Sequence, residues 1–263
     1  IVTCVCNREV VTMVPTSVLV TAWMCDVFHY FFGSIGMHPP TMPTASKADA
    51  VANYAAIVEA SYLDSLRTAG ALKEAIDALV AEPSDANLTA AKEAWLASRE
   101  PYLQTEVYRF YEGPIDNEDN GPEGLLNAWP LDENYIDYVE GDANAGIING
   151  DGPIDAATLE GLNEVGGEAN IATGYHAIEF LLWGQDVDTA GPGQRPYTDY
   201  VVGEGGTAAN QDRRGQYLQV VAELLVNHLG MLHGAWTAAG SYRPGFEADA
   251  DGSFAKILTG MII

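Results

Sequence analysis

The sequence has few cysteines and few positive charges, and each shortage excludes certain kinds of site. All three cysteines, Cys4, Cys6 and Cys25, lie near the start of the 263-residue chain. The remainder of the chain therefore contains no disulfide, no thiolate metal ligand and no cysteine nucleophile. A cysteine-free body agrees with a location in the cell envelope but does not prove it.

Basic residues are also few compared with acidic ones. The chain has 12 Lys and Arg residues against 37 Asp and Glu residues, which gives a formal net charge of −25. Nearly all of the acidic excess lies in residues 45–263, because residues 1–44 hold only Arg8, Glu9 and Asp26. Such a surface repels nucleic acid and anionic lipid, so we predict no nucleic-acid partner. It suits cations or a high-salt setting, although solubility alone also accounts for it.

The helical motifs of zinc peptidases are absent as well. His-Glu-x-x-His does not occur, and the inverted pattern His-x-x-Glu-His would need a histidine where Phe180 stands. A catalytic zinc usually takes three protein ligands and a water. No Gly-x-Ser-x-Gly elbow and no phosphate-binding loop is present, which leaves no motif for serine hydrolysis or phosphate binding.

Helical periodicity runs through every long segment, and no segment alternates convincingly like a strand. Ser46 is placed to cap the first helix and Pro83 ends it, while Ser84 or Asp85 can cap the second. Pro101 should kink or split that second helix. We therefore predict an all-α, antiparallel helical bundle with long loops. The predicted long helices span 46–81, 86–111, 171–184 and 208–239, and the predicted short helices span 133–139 and 155–165.

The first 44 residues differ from the rest. An apolar stretch over residues 10–33 is interrupted by Pro15, Asp26 and His29, so it only partly matches a secretory signal. We interpret it as a degraded leader, a weak membrane anchor or sequence from outside the true gene, followed by a proline-rich linker. Residues 1–44 are therefore set apart from the bundle.

The most distinctive stretch is a short apolar helix predicted between Gly174 and Gly184. His176 and Glu179 lie three residues apart within it and so share one face. Because a helix that is apolar on all sides is usually buried, the imidazole and the carboxylate need partners. Those partners are either other side chains, which would hold helices in register, or a metal ion.

A stripe of aromatic and charged residues follows the second predicted helix. Its members are four, three, four and three residues apart and therefore lie on one face; they are Trp95, Arg99, Tyr102, Glu106 and Arg109. Aromatic groups between charged ones predict a half-buried polar network rather than a solvated face. The acidic loop at 112–133 follows, and loops of this length are often functional. His228 and His233, in contrast, are expected at the surface or its boundary.

Together these features predict a site for a divalent cation, held by one imidazole and several carboxylates. Oxygen-rich sites with one nitrogen suit iron, manganese and similar ions. The predicted metal ligands are His176, Glu179, Glu106 and Asp116, the last standing for the acids of the 112–133 loop. The residues predicted to orient those ligands are Arg99, Arg109, Tyr102 and Asp132. No catalytic residue is assigned.

The pattern Gly-x-His-x-x-Glu at 174–179, followed by Phe-Leu-Leu-Trp-Gly-Gln-Asp at 180–186, resembles the signature of the imelysin family. The resemblance is to its iron-regulated protein A-like branch in particular, and it extends over about residues 45–263. Further similar segments occur in the expected order at 94–95, 99–102, 104–111, 113–116, 126–133 and 212–214.

The resemblance implies an imelysin-like bundle in residues 45–243 and the start of a truncated second bundle in residues 244–263. It also implies a protein of the periplasm or cell envelope that takes part in iron acquisition, with other iron-uptake proteins as partners. We therefore predict binding of a divalent metal, iron first and zinc second, without turnover. The alternative is a metal-dependent peptidase of the imelysin type, which the two ligands His176 and Glu179 support poorly.

Overall fold

The computed structural model describes residues 2–6, 9–13, 45–187 and 191–262. The chain divides into two units, Ile1–Ala45 and Ser46–Ile263. In the first unit, strands β1 (Val2–Cys6) and β2 (Glu9–Met13) pair in antiparallel register. The leader or anchor predicted in residues 1–44 lies for the most part outside the described residues.

The second unit is an all-α bundle, as predicted. Every regular element described between residues 47 and 262 is an α-helix or a short 3-10 turn. The helices are α1 (Lys47–Ala81), α2 (Asp85–Leu103), α3 (Glu123–Asn127), α4 (Glu133–Ile136), α5 (Gly146–Asn149), α6 (Ala156–Leu162), α7 (Gly174–Trp183), α8 (Gln211–Trp236), α9 (Arg243–Ala248) and α10 (Ala250–Ile262). The 3-10 turns are Gln104–Tyr108 and Tyr197–Tyr200.

Helices α1, α2 and α8 form the centre of the bundle, with α1 packed against both of the others. Ser46 caps α1 as predicted, because its hydroxyl accepts the N–H of Asp49 while the Asp49 carboxylate accepts the N–H of Ser46. Ser84 caps α2 by accepting the N–H of Asn87. Buried apolar residues recur along α1 at three- and four-residue steps, which gives this helix one inward face; they include Val51, Ala55, Val58, Tyr62, Leu72, Ile76 and Leu79.

Helix α2 ends earlier than the sequence predicts. Its α-helical geometry stops at Leu103, and the chain tightens into the 3-10 turn Gln104–Tyr108. Pro101 lies inside the helix and has no N–H to donate, which weakens the helical bonding at this point. Phe110 and Glu112 then adopt positive φ angles of 68° and 56°. The predicted extension of this helix to residue 111 is therefore wrong.

The segments predicted as loops contain short helical elements. The 112–133 loop holds α3, whose Leu126 is fully buried, and the loop after α7 holds the 3-10 turn Tyr197–Tyr200. Elements of four or five residues are too short to show a hydrophobic period, so the sequence pattern misses them. Helix α3 packs against α7 and so brings the acidic loop to the motif helix.

At the C-terminal end, helices α9 and α10 pack against α1. The suggestion that residues 244–263 open a second bundle stays a prediction. Of the helices within the described ranges, none combines the length and the apolar character needed to cross a membrane.

Candidate functional site

Helix α7 is positioned at its start by Gly174. This residue has a φ angle of +82°, and an added Cβ would lie 2.5 Å from the carbonyl oxygen of Leu126. Only glycine fits where α7 meets α3, because a side chain would be both strained and blocked. The hydroxyl of Thr173 donates to the Leu125 carbonyl at 3.0 Å and strengthens the same junction.

Side chains from neighbouring segments bind the carbonyl groups of α7. The indole Nε1 of Trp95 donates to the Tyr175 carbonyl at 2.9 Å, and the hydroxyl of Tyr200 donates to the Leu181 carbonyl at 2.6 Å. All four of these residues are buried. The bonds fix the rotation of α7 about its axis and therefore decide which side of the bundle its polar residues face.

His176 and Glu179 form a pair on a partly exposed side of α7. The Nδ1 atom of His176 lies 3.0 Å from Oε2 of Glu179, and their side chains are 17% and 42% exposed. The ring of Trp129 lies 4.8 Å from the imidazole, measured between centroids. Both side chains were expected to be buried, and this expectation is wrong. They lie on a side of α7 that borders a cavity, so solvent reaches them.

This cavity has a volume of about 670 Å³. Its polar lining consists of four carboxylates, the imidazole and two amides: Asp132, Glu133, Glu179, Asp186, His176, Asn134 and Gln185. Its aromatic lining consists of Trp95, Trp129, Phe180 and Trp183. No lysine or arginine is found among the described residues of the lining, so the wall of the cavity carries net negative charge.

The electrostatics of the cavity are most evident at Glu133. Burial raises the pKa of this carboxyl group, and the nearby charge of Asp186 raises it further. Hydrogen bonds from the Asp186 backbone and the Gln185 side chain, together with the charge of Arg195, act in the opposite direction. Because burial dominates, ionisation of Glu133 costs free energy in the folded chain, and a bound cation would reduce that cost.

Two of the predicted ligands, Glu106 and Asp116, do not line the cavity. Glu106 instead shares Arg109 with Glu123, at N–O distances of 3.2 and 2.9 Å. Asp116 accepts backbone N–H groups of the 110–113 turn and so fixes that turn. The structure therefore brings His176 and Glu179 together but separates them from the other two predicted ligands.

Glu106 was predicted to share one helix face with Trp95 and Tyr102, and the early end of α2 explains why it does not. The stripe assumes 3.6 residues per turn, whereas the segment from Gln104 onward is a 3-10 turn with about 3.0 residues per turn. The α-helical spacing that relates Trp95 to Tyr102 therefore does not extend to Glu106. Trp95 and Tyr102 are buried, whereas Glu106 is exposed.

Of the four residues predicted to orient the ligands, only Asp132 lines the cavity. The guanidinium of Arg99 lies 4.9 Å from the centroid of the Tyr175 ring instead. Tyr102 packs on the same ring at 4.9 Å, and burial raises its pKa. Arg99 and Tyr102 thus support α7, while Arg109 belongs to the cluster with Glu106.

The lining includes four acidic or aromatic residues that were not among the predicted site residues: Glu133, Asp186, Trp129 and Trp183. Glu133 and Trp129 belong to the 112–133 loop, and the other two belong to the segment 180–186 that follows the Gly-x-His-x-x-Glu pattern. The sequence therefore indicated both segments, the acidic loop and the motif, as parts of a site. The sequence could not indicate which acids of a long loop return to α7, because that depends on how the loop folds.

As placed, the acids of the cavity do not form a closed metal site. In the described part of the chain, no group of three His, Cys, Asp or Glu side chains is arranged so that it could hold an ion. His176 and Glu179 supply at most two ligands, fewer than the three of a catalytic zinc. A metal held here would need Asp132, Glu133 or Asp186 to move toward it, or water to complete its shell.

A different charged cluster is buried within the bundle. The Asp137 carboxylate accepts hydrogen bonds from Arg195 and Arg214 at 2.7 to 2.9 Å. Asp199 accepts from Arg195 at 3.1 Å and from the Tyr138 hydroxyl at 2.6 Å. Two arginines thus balance two aspartates, and the cluster ties the chain after α4 to α8 and to the Tyr197–Tyr200 turn.

A second His–Glu pair lies outside the cavity. Nε2 of His228 on α8 lies 2.9 Å from Oε1 of Glu160 on α6, and His228 is only 5% exposed. The expectation of a surface or boundary position is therefore wrong for His228. The pair links α6 to α8.

The imelysin peptidase-family model matches residues 58–263, which is most of the chain and includes α7 and the cavity. The chain belongs to the imelysin family. Iron-regulated protein A of Synechococcus elongatus is 37% identical over 76 residues, which is 29% of this chain and 20% of that protein.

The fold of this imelysin-family chain is also found in a solved structure. A crystal structure of a Parabacteroides distasonis protein, assigned as an iron-regulated protein A precursor, superposes with a TM-score of 0.55 at 23% identity. The match covers 84% of this chain and 56% of that one. At this identity the likeness shows the fold alone, and the chain spans little more than half the length of the neighbour.

Proposed function

We propose that this imelysin-family chain binds a divalent metal, iron first, in the cavity beside α7, without catalytic turnover. The observation that carries the proposal is the composition of the lining: four carboxylates and one imidazole, with no lysine or arginine among its described residues. Carboxylate and imidazole donors suit iron, manganese and zinc. The name of the S. elongatus relative supports iron as the first choice.

The His176–Glu179 pair is suited to begin such a site. With neutral imidazole and ionised glutamate, the shared proton lies on Nδ1, which leaves the lone pair of Nε2 free for a metal. A carboxylate hydrogen-bonded to a ligating histidine fixes its ring and increases its basicity. Glu179 would thus act through His176, while Asp132 and Glu133 offer oxygen ligands from the facing loop.

The peptidase alternative has less support. Both helical zinc-peptidase patterns are absent from the sequence, and the described residues form no three-ligand group. Iron acquisition at the cell envelope, with other uptake proteins as partners, is the biological setting we propose. This setting is supported by the family resemblance, whereas the metal site is supported by the residues that line the cavity.

Calorimetric titration with Fe²⁺ under anaerobic conditions, and with Mn²⁺ and Zn²⁺, tests the proposal. We expect binding to weaken about tenfold or more in His176→Ala, because a lost ligand or outer partner typically costs that much. His233→Ala is the matched control, since this partly buried histidine does not line the cavity. Equal affinity in both variants would remove the metal site. Cleavage of an unfolded protein substrate that requires metal and His176 would support the peptidase instead.

A further inference from the structure

The cavity is much larger than a bare metal ion needs. Protein ligands hold a divalent ion at about 2.0 to 2.6 Å, so an ion and its oxygen shell fill only a small part of about 670 Å³. Cavities of about 300 to 1,000 Å³ are typical of sites for organic molecules. The size therefore indicates an occupant larger than the ion alone.

Aromatic rings form much of the wall. Trp95 and Trp183 meet edge to face with centroids 5.3 Å apart, and Phe180 follows on the same side of α7. Trp129 lines the cavity beside His176 although 69% of its surface is exposed. Indole faces pack against flat apolar groups and attract cations. Lys92 and Arg99 already lie over the rings of Trp183 and Trp95, whereas Trp129 has the most exposed ring of the three. An exposed tryptophan at a cavity edge is a common feature of binding surfaces.

The charges of the wall restrict the occupant further. Asp132, Glu133, Glu179 and Asp186 line the cavity, but no three acidic or histidine side chains of the described chain are placed to share one ion. Carboxylates spread in this way attract positive charge over a wide area rather than enclosing a single ion. An anionic complex, such as a metal held by a polycarboxylate, would be repelled.

We propose that the cavity takes its metal as a complex with an organic ligand, one that carries net positive charge and presents flat or apolar faces to the tryptophans. This inference rests on the proposed metal-binding function and names the form in which the metal arrives. The carboxylates neutralise the complex, the aromatic rings contact its organic part, and His176 borders the same space.

Two iron complexes of similar coordination and opposite charge test this inference. Tris(2,2′-bipyridine)iron(II) is a dication with aromatic faces, whereas tris(bathophenanthroline disulfonate)iron(II) is an anion with aromatic faces. Equilibrium dialysis against the full chain, read by the visible absorbance of each complex, measures binding directly. We expect the dication to bind at least tenfold more tightly than the anion, and free bipyridine to bind weakly.

Variants separate the aromatic contribution from the metal contribution. Trp129→Ala should weaken binding of the dication at least fivefold more than it weakens binding of aquated Fe²⁺. Phe110→Ala is the matched control, because Phe110 is an exposed aromatic residue that does not line the cavity. Equal losses in the two variants would overturn the role of the aromatic wall.

The outcomes distinguish this inference from the proposed function. Binding of aquated Fe²⁺ without binding of the dication would overturn the inference and keep the proposed function. Binding of the dication without aquated metal would support the inference and reject the bare-ion form of the proposed function. Binding of neither would overturn both, and equal binding of the two complexes would overturn the charge preference on which the inference depends.

Discussion

The buried cluster around Asp137 and the cavity beside α7 use similar charged residues in opposite ways. In the buried cluster, Asp137 and Asp199 are bonded to Arg195 and Arg214, so each carboxylate has a guanidinium partner. In the cavity, four carboxylates face a lining without a basic residue among those described. The buried cluster pairs opposite charges within the protein and holds the fold together, whereas the acidic lining of the cavity favours positive charge from outside.

The two regions also differ in how much their carboxylates contribute to the stability of the fold. Removing one member of a buried ion pair leaves the other charge desolvated and uncompensated, which is strongly destabilising. A carboxylate beside an open cavity keeps contact with water, so its removal costs the fold little. The two regions are therefore expected to respond differently to the same chemical change, first in stability and then in ligand binding.

The largest expected effect is that of Asp137→Asn. The substitution leaves two buried guanidinium groups without their shared carboxylate, and it should reduce the free energy of unfolding by about 3 to 5 kcal/mol. The same change five residues earlier, Asp132→Asn, should cost less than about 1 kcal/mol because Asp132 is only partly buried at the cavity. Urea denaturation of both variants measures the difference, and similar losses would mean that the two regions do not differ as described.

A smaller effect is expected for Gly174→Ala, which alters the support of the cavity rather than its charges. The added Cβ meets the Leu126 carbonyl at a strained φ angle, so we expect a loss of about 1 to 3 kcal/mol and weaker metal binding. Gly70→Ala is the control, because nothing lies within 4 Å of an added Cβ in the middle of α1. That variant should gain about 0.5 to 1 kcal/mol. A gain in both variants, seen in thermal or urea unfolding, would show that the α7 junction tolerates a side chain.

The smallest expected effect is the pH dependence that Glu133 contributes. Since burial raises the pKa of this carboxyl group in the folded chain, the folded state binds the proton more tightly than the unfolded state. Stability is therefore lost as the pH rises from the unfolded pKa of about 4.3 through the raised folded pKa. Glu133→Gln removes this loss, so the metal-free variant should be more stable than the parent near pH 7 and equal to it near pH 4.

The gain from Glu133→Gln should stay below about 1 kcal/mol, because solvent reaches much of this side chain. Urea denaturation at both pH values in the presence of a chelator measures it. The same variant should bind metal more weakly, so a gain in stability would accompany a loss of affinity. A stability change of the same size at both pH values would mean that the ionisation of Glu133 is not its cause.

The long helices were predictable because their evidence is local. Ser46 and Ser84 cap the helices they were expected to cap, and buried side chains of α1 follow the helical period. The His176–Glu179 pair was also predictable, since three residues of helix fix its geometry. Local spacing failed at Glu106, because Pro101 and the following 3-10 turn end the regular period on which the stripe depended.

The rest of the site depends on contacts between segments far apart in the sequence. Asp137 meets arginines that lie 58 and 77 residues away, and His228 meets Glu160 across 68 residues. Likewise, Glu133 reaches the cavity through a loop that contains several other acids. Neither composition nor periodicity indicates such pairings, because they follow from how the loops pack on α7 and α8.

The most direct test of the central claim is to locate the metal itself. Crystals of the chain grown with Fe²⁺, Mn²⁺ or Zn²⁺, and measured at the absorption edge of the metal, give an anomalous difference map that shows where the ion lies. We predict a peak in the cavity within bonding distance of Nε2 of His176, with oxygen ligands from the facing loop. A peak beside Glu106 and Glu123, or none in the cavity at saturating metal, would contradict the account.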